Sequence, residues 1–362
     1  MSWEVAEAQL APIATGAALL GTGGGGNPYL GLLRMRELLR RGRRVHVVAG
    51  DELADDALVV SAGGMGAPTV SWEKLPQGEE EADAVRALEQ HLGRRVDAIA
   101  PLEMGGSNSL VALAVGAQLG VPVLDGDGMG RAFPELQMVT YLIYGGSPSP
   151  AAVADEKRNR TVLADVADVY ALERLARAVT IECGGHTGLA MCPMTGAEAR
   201  SRCVPGTLTL ALRIGTAIEE ARRRGADPVE AVLEVAGGRR LFRGKIVDVE
   251  RRLVGGFARG RTTLEGFGPD LGHAVAVDFQ NENLIVRRDG EVLAMVPDLV
   301  VLCDVDSGEP LTTEVLRYGF RADVLVLPPS SVLTTPEALR FVGPRAFGYE
   351  LDYRPAWQEQ AG

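Results

Sequence analysis

Three carboxylates fall where chemistry is expected. Glu103 stands in Pro101-Leu102-Glu103-Met104-Gly105-Gly106-Ser107-Asn108-Ser109, and Asp125 and Asp127 in Asp125-Gly126-Asp127-Gly128-Met129-Gly130-Arg131-Ala132-Phe133-Pro134-Glu135. Glu103 closes a short apolar run and precedes a Gly-Gly turn. A partly desolvated carboxylate there holds protons more tightly and serves as a general base. Its plain alternative is to accept hydrogen bonds from a neighbouring loop. Asp125 and Asp127, with Arg131 and Glu135 close in sequence, have the hard oxygens that suit magnesium or manganese. They equally suit the polar edge of a ring, or the cap of a helix expected to begin near Phe133.

Glycine accompanies these acids. The chain has 45 glycines in 362 residues, about 12% against a usual ~7%. Many fall in runs at 21–26, 63–66, 105–106, 126–130 and 184–185. The first run, Gly21-Thr22-Gly23-Gly24-Gly25-Gly26-Asn27-Pro28, satisfies G-x-G-x-x-G, and Asp51 ends the next apolar run. Four consecutive glycines meet that spacing easily, and the segment before them has helical rather than strand spacing, so NAD is disfavoured. What survives is a loop without side chains whose backbone donors, at Gly23, Gly24 and Gly25, can meet a polar ligand, with Asn27 as the cap of the next helix. Gly64, Gly105, Gly106 and Asn108 supply similar backbone and amide groups. Phe279-Gln280-Asn281-Glu282-Asn283 places Asn281 and Glu282 between two strand-like runs, as a polar turn or a ligand contact. Cys183-Gly184-Gly185-His186 with Cys192 and Cys203 matches no common zinc spacing; packing, a metal or a catalytic thiol all remain open for it.

The elements that must position these residues follow from the apolar pattern. Helices are expected over 4–18, 28–41, 79–92, 109–119, 168–180 and 207–236, the last broken near Gly225. Between the early helices lie four short runs, Val45–Val48, Leu58–Ser61, Val96–Ala100 and Val121–Leu124, apolar on both faces. Such strands separated by helices imply a parallel sheet covered on both sides. From Arg239 to Pro328 the segments become strand-length, with a hairpin turn at Arg288-Asp289-Gly290-Glu291. The expectation is therefore an α/β fold: a three-layer parallel-sheet domain carrying the glycine-loop pocket over 1–236, and a smaller, β-rich, barrel-like domain over 237–331. The tail, 332–362, is expected to pack back on the first.

Composition narrows the function classes. With 37 Lys+Arg against 48 Asp+Glu the formal net charge is −11. That opposes a nucleic-acid partner, which needs a clustered basic face; the dense basic run Arg34 to Arg44 reads as a solvated helix face. The longest apolar stretch, Leu110–Leu124, is interrupted and too short to span a bilayer. Four cysteines make no disulfide framework, and the N-terminus carries no secretory pattern, so a cytoplasmic setting with no membrane partner is expected.

Taken together, LGTGGGGNPYLG (20–31), EMGGSNS (103–109), DGDGMGRAFPELQM (125–138), DFQNENLIVRRDG (278–290), VPDLVVLCDVDSGEP (296–310), LRYG (316–319) and VGPRAFGYELDY (342–353) resemble the S-methyl-thiohydantoin desulfurase family, which is associated with hydantoinases and oxoprolinases. These runs keep their order over nearly the whole chain. The resemblance implies a three-layer α/β domain joined to a β-barrel domain, and hydrolytic removal of sulfide or methanethiol from a thiohydantoin-type ring to leave a hydantoin. Its partner would be a small heterocyclic substrate, with a homo-oligomer left open. The chemistry needs a base for the attacking water, for which Glu103 or a metal-bound hydroxide is suited. Donors for the developing charge would come from the glycine loops or Asn108, while Asp125 and Asp127 would hold ring N–H groups or a divalent cation. Two rivals carry no catalysis: a dinucleotide- or small-ligand-binding protein, and a non-catalytic subunit of a hydantoinase-like assembly.

Overall fold

A computed structural model describes residues 2–66, 70, 74–254 and 257–357. Its first sheet has eight strands, in the order Trp3–Glu4, His46–Val48, Val123–Leu124, Ala98–Pro101, Leu58–Gly66, His186–Thr195, Ala151–Ala154 and Arg160–Leu163. The four runs read from sequence form its centre and are parallel. Alternation along them feeds two cores. Val60, Ile99 and Val123 pack with Leu10, Met35, Leu88, Leu110 and Ile214 on one face. Val59, Ala98 and Leu124 pack with Leu172, Ala199 and Val342 on the other. Helices over Leu10–Leu20, Tyr29–Arg40, Glu80–Leu92, Ser107–Leu119 and Thr207–Arg224 contribute to the first face, and Val169–Glu182 and Gly196–Arg202 to the second. The result is three layers, α/β/α.

Three features differ from expectation. The sheet is mixed: His186–Thr195 pairs antiparallel with Leu58–Gly66, and Ala151–Ala154 and Arg160–Leu163 extend it as a hairpin. No helix starts near Phe133. Glu135 is extended, and the next turns are the short helices Leu136–Met138 and Thr140–Ile143. The stretch stays open because Arg131 is fully buried and its guanidinium is shared among acceptors from three other segments. The long strand Phe257–Gly266, paired with Arg239–Val254, is a third difference.

The second sheet is antiparallel throughout, in the order Glu291–Met295, Glu282–Arg288, Ala274–Gln280, Phe257–Gly266, Arg239–Val254, Arg321–Leu327 and Leu299–Asp304. It curls into a half-barrel, bringing Asn283 Nδ2 to 3.1 Å from the Val300 carbonyl near the opposite edge. Phe242, Ile246, Leu264, Val277 and Val324 fill it. The Asp289-Gly290 hairpin forms with both residues at positive φ, as its tight turn requires. Leu333, Ala338 and Val342, from the C-terminal segment, pack into the second α/β core. Among the described residues, no helix is long and apolar enough to cross a membrane.

Candidate active site

The parallel strands deliver their loops to one sheet edge, as open α/β sheets do. The glycine run Gly21–Gly26 follows the helix Leu10–Leu20 rather than a strand, so it is not the turn of a βαβ dinucleotide motif. It packs against the second glycine loop instead. Gly25 has φ +74°, and a Cβ there would lie 2.5 Å from the Gly105 carbonyl oxygen; at Gly106, φ +60°, it would lie 2.3 Å from that of Gly25. The Ser107 N–H donates to the Gly25 carbonyl at 2.9 Å, locking the loops together at the start of the helix Ser107–Leu119. Asn27 caps the other helix: its Oδ1 accepts from the Tyr29 N–H at 2.8 Å.

Above these loops opens a cleft of about 720 Å³ including its mouth. Gly25, Gly26 and Gly64 form one wall, and Met65, Leu102, Met129, Phe133 and Leu136 add apolar side chains to a lining that is more polar than apolar. Into it project Glu103, Asn108, Glu135, Asn281 and Glu282 from the expected residues, together with Arg177 and His186. Glu103 is buried. Its Oε1 accepts from Asn108 Nδ2 at 2.6 Å, and its Oε2 accepts weakly from the Phe133 N–H at 3.4 Å. The Asn108 amide is itself fixed, since its Oδ1 accepts from the Gly64 N–H at 2.6 Å. Burial pushes the Glu103 carboxyl up to about 8, against the pull of the Asn108 hydrogen bond.

Glu282 enters from the half-barrel, beside Asn281 at φ 57°, whose Oδ1 holds the Ala258 N–H at 2.9 Å. Glu282 is 3% exposed, and among the described residues its Oε2 has no hydrogen-bond partner. Burial first, then the like charge of Glu103, raises its carboxyl well above the ordinary range; Arg131 opposes both. A buried, unsatisfied carboxyl oxygen on a cleft wall signals a ligand. Gly24 exists for this side chain, because a Cβ there would meet Glu282 Oε1 at 2.0 Å.

The remaining expected residues lie elsewhere. Asp127 is fully buried behind the wall, its Oδ2 accepting from the N–H groups of Met104 (2.7 Å), Met129 (3.1 Å) and Gly130 (2.8 Å). Burial raises it to about 7, but its work is to shape the 127–130 turn. Asp125 faces the helix Thr207–Arg224, accepting from the Thr209 N–H at 3.1 Å and Oγ1 at 2.5 Å. Neither lines the cleft, because both are drawn to backbone donors nearer than any cavity. Arg131 is a buried strut. It donates to Thr22 Oγ1 (2.6 Å) and to the carbonyls of Asn283 (3.1 Å) and Asp298 (2.8 Å), tying the glycine loop to the half-barrel beneath both glutamates. Desolvation lowers it to about 10. Gly23, Gly24, Gly105 and Gly106 serve packing: the Gly23 carbonyl, for one, accepts from the Thr313 N–H at 2.8 Å. Asn27 lines an adjoining chamber.

Arg177 and Phe257 stand outside the residues expected from the sequence. Arg177 reaches the mouth from the helix Val169–Glu182, ion-paired with Glu173, and stacks 5.1 Å over the Phe257 ring. Glu135, raised by burial, hydrogen-bonds Gln137 nearby. Burial holds His186 below its ordinary value, against the pull of Glu81 and Glu80. Cys192 and Cys203 are buried in the second core and Cys183 is half-buried. Among the described residues, no three His, Cys, Asp or Glu side chains converge as a metal-ligand group.

Comparison with known proteins agrees with this architecture. Residues 8–165 match the family model described as S-Me-THD-like, N-terminal domain, and residues 167–356 match S-Me-THD-like, C-terminal domain. No curated protein matches. A crystal structure of a protein from Chromobacterium violaceum superimposes with a TM-score of 0.82 at 26% identity, covering 98% of this chain and 100% of that one.

Proposed function

The chain belongs to the S-Me-THD-like family, and on that premise we propose that it hydrolyses the carbon–sulfur bond of a thiohydantoin-type ring. The observation that carries the reading is the pair of buried carboxyls, Glu103 and Glu282, on one cleft. Two coupled acids with unequal environments divide into a base and an acid. Glu103, oriented by Asn108, is the base. Glu282, whose carboxyl is raised by burial and by Glu103 and whose Oε2 has no partner among the described residues, is the acid.

In the proposed step a water placed by Glu103 attacks the ring carbon that bears sulfur, and its proton passes to the carboxylate. The carbon–sulfur bond then breaks. Sulfur takes up the Glu282 proton as it leaves, and the hydroxyl proton of the former water restores Glu282. The proton held by Glu103 passes to the ring nitrogen of the S-methyl ring, releasing methanethiol, or to the departing sulfur of the thiohydantoin, completing hydrogen sulfide. The former water oxygen remains as the hydantoin carbonyl. Transient negative charge on the ring meets the backbone of Gly25 and Gly26 and the field of Arg131, which is already fixed and needs no reorganisation. Phe133, Met65 and Leu102 exclude bulk water. Asp125 and Asp127 take no part.

The test is direct. The protein is incubated with a thiohydantoin and with its S-methyl form, and released sulfide or thiol is measured beside Glu103→Gln. Release by the wild type, reduced about 10²- to 10⁴-fold in the variant, is expected for loss of a general base. No release from either compound sinks the desulfurase reading; undiminished release by the variant sinks only the role given to Glu103.

A further inference from the structure

Next to the cleft lies a second chamber, of about 870 Å³ including its mouth. The two share four lining residues: Gly64, Ser107, Asn108 and His186. Gly64 is the gap in this common wall. A Cβ there would stand 3.2 Å from His186 Nε2 and 3.5 Å from Asn108 Oδ1, closing the space between those side chains.

Beyond the gap the lining changes character. Leu30, Pro76 and Val111 give the chamber a predominantly apolar surface. Leu30 is 38% exposed, and Leu75, between the lining residues Lys74 and Pro76, is 88% exposed, so the apolar surface continues to the outside. The chamber's cations are already matched. Lys74 Nζ lies 2.6 Å from Glu156 Oε2 and donates to the carbonyls of Cys183 (2.6 Å) and His186 (2.8 Å). Arg34 pairs with Glu81 at 2.7 Å. The Glu80 carboxylate accepts from the Gln77 and Gly78 N–H groups. Among the described residues, an anionic group entering here finds no unpaired cation and several carboxylates.

We infer that this chamber receives the substituent on the sp³ carbon of the ring, and that it selects a branched aliphatic or aromatic group over a hydrogen or a carboxylate-bearing chain. The inference rests on the thiohydantoin reading, because that ring places a substituent two bonds or more from the sulfur-bearing carbon. With the reacting carbon over Glu103, the sp³ carbon can face Gly64. Burying such a group in an apolar site favours it roughly tenfold or more over hydrogen.

The experiment compares S-methyl-thiohydantoins carrying hydrogen, isobutyl, benzyl and carboxymethyl on the sp³ carbon, by kcat/KM of thiol release. The sulfur-free hydantoins with the same substituents are compared by calorimetric binding, which needs no turnover. Val111→Phe fills the chamber from the inside. Leu30→Trp fills it from a position exposed enough to tolerate the change should Val111→Phe not fold. The expected result is an isobutyl or benzyl over hydrogen ratio of about ten or more in the wild type, falling towards one in either variant, with carboxymethyl worst in the wild type. A wild-type ratio near one in both turnover and binding, or a ratio unchanged in a folded variant, overturns the inference. A binding preference that the variants abolish, without any thiol release, leaves the chamber standing and removes the desulfurase reading alone.

Discussion

Glu103 and Asp127 make an instructive pair. Both are buried carboxylates just beyond strands of the same sheet, both follow from the same kind of glycine-rich loop, and burial raises both, to about 8 and about 7. What separates them is where each carboxylate faces. Asp127 accepts three backbone N–H groups on one oxygen, and its side chain is part of the turn. Glu103 has one short bond from an amide and one long one from a backbone N–H, and it opens on the cleft. A raised proton affinity marks burial, while spare valence towards a cavity marks function.

That contrast breaks most sharply by substitution. Asp127→Ala strands three buried N–H donors and is expected to lower stability by about 3 kcal/mol or more, seen as a reduced midpoint in urea. Glu103→Gln, by contrast, keeps the Asn108 bond and should keep the fold while losing turnover. A folded Asp127→Ala protein without activity would place Asp127 in the chemistry and erase the distinction. A smaller effect sharpens the same point. Asp125→Ala removes two contacts to Thr209 near the start of a helix and should cost about 1 kcal/mol, measured as a lower melting temperature with kcat/KM unchanged.

The sequence made parts of this legible for physical reasons. Runs such as Leu58–Ser61 and Val96–Ala100 are apolar on both faces, and only a strand covered on both sides satisfies them; they became the parallel centre of the sheet. Glu103, Asn108, Gly64 and Glu282, which line one cleft, could be picked out because each sits at the end of such a run or in a polar break between two. The antiparallel half stayed hidden. His186–Thr195 contains Gly188, Cys192 and Pro193, which blur strand periodicity, and it is held by pairing with residues more than a hundred positions away. The helix expected near Phe133 gave way to the burial of Arg131, whose acceptors include residues 283 and 298. Arg177 carries no local signal either, since it reaches the cleft only because its helix crosses the mouth beside Phe257. Asp125 and Asp127 lie off the cleft for the converse reason: nothing in their spacing tells a carboxylate bound to a turn or to a neighbouring helix from one facing a cavity.

The central claim, that Glu103 is the base, is tested most directly by the pH dependence of kcat/KM for thiol release. A base works when ionised, and burial places Glu103 at about 8, so the wild-type rate should rise with pH and level off above roughly that value. The residual rate of Glu103→Gln should lack this inflection. An inflection near 8 that persists unchanged in Glu103→Gln would contradict the account.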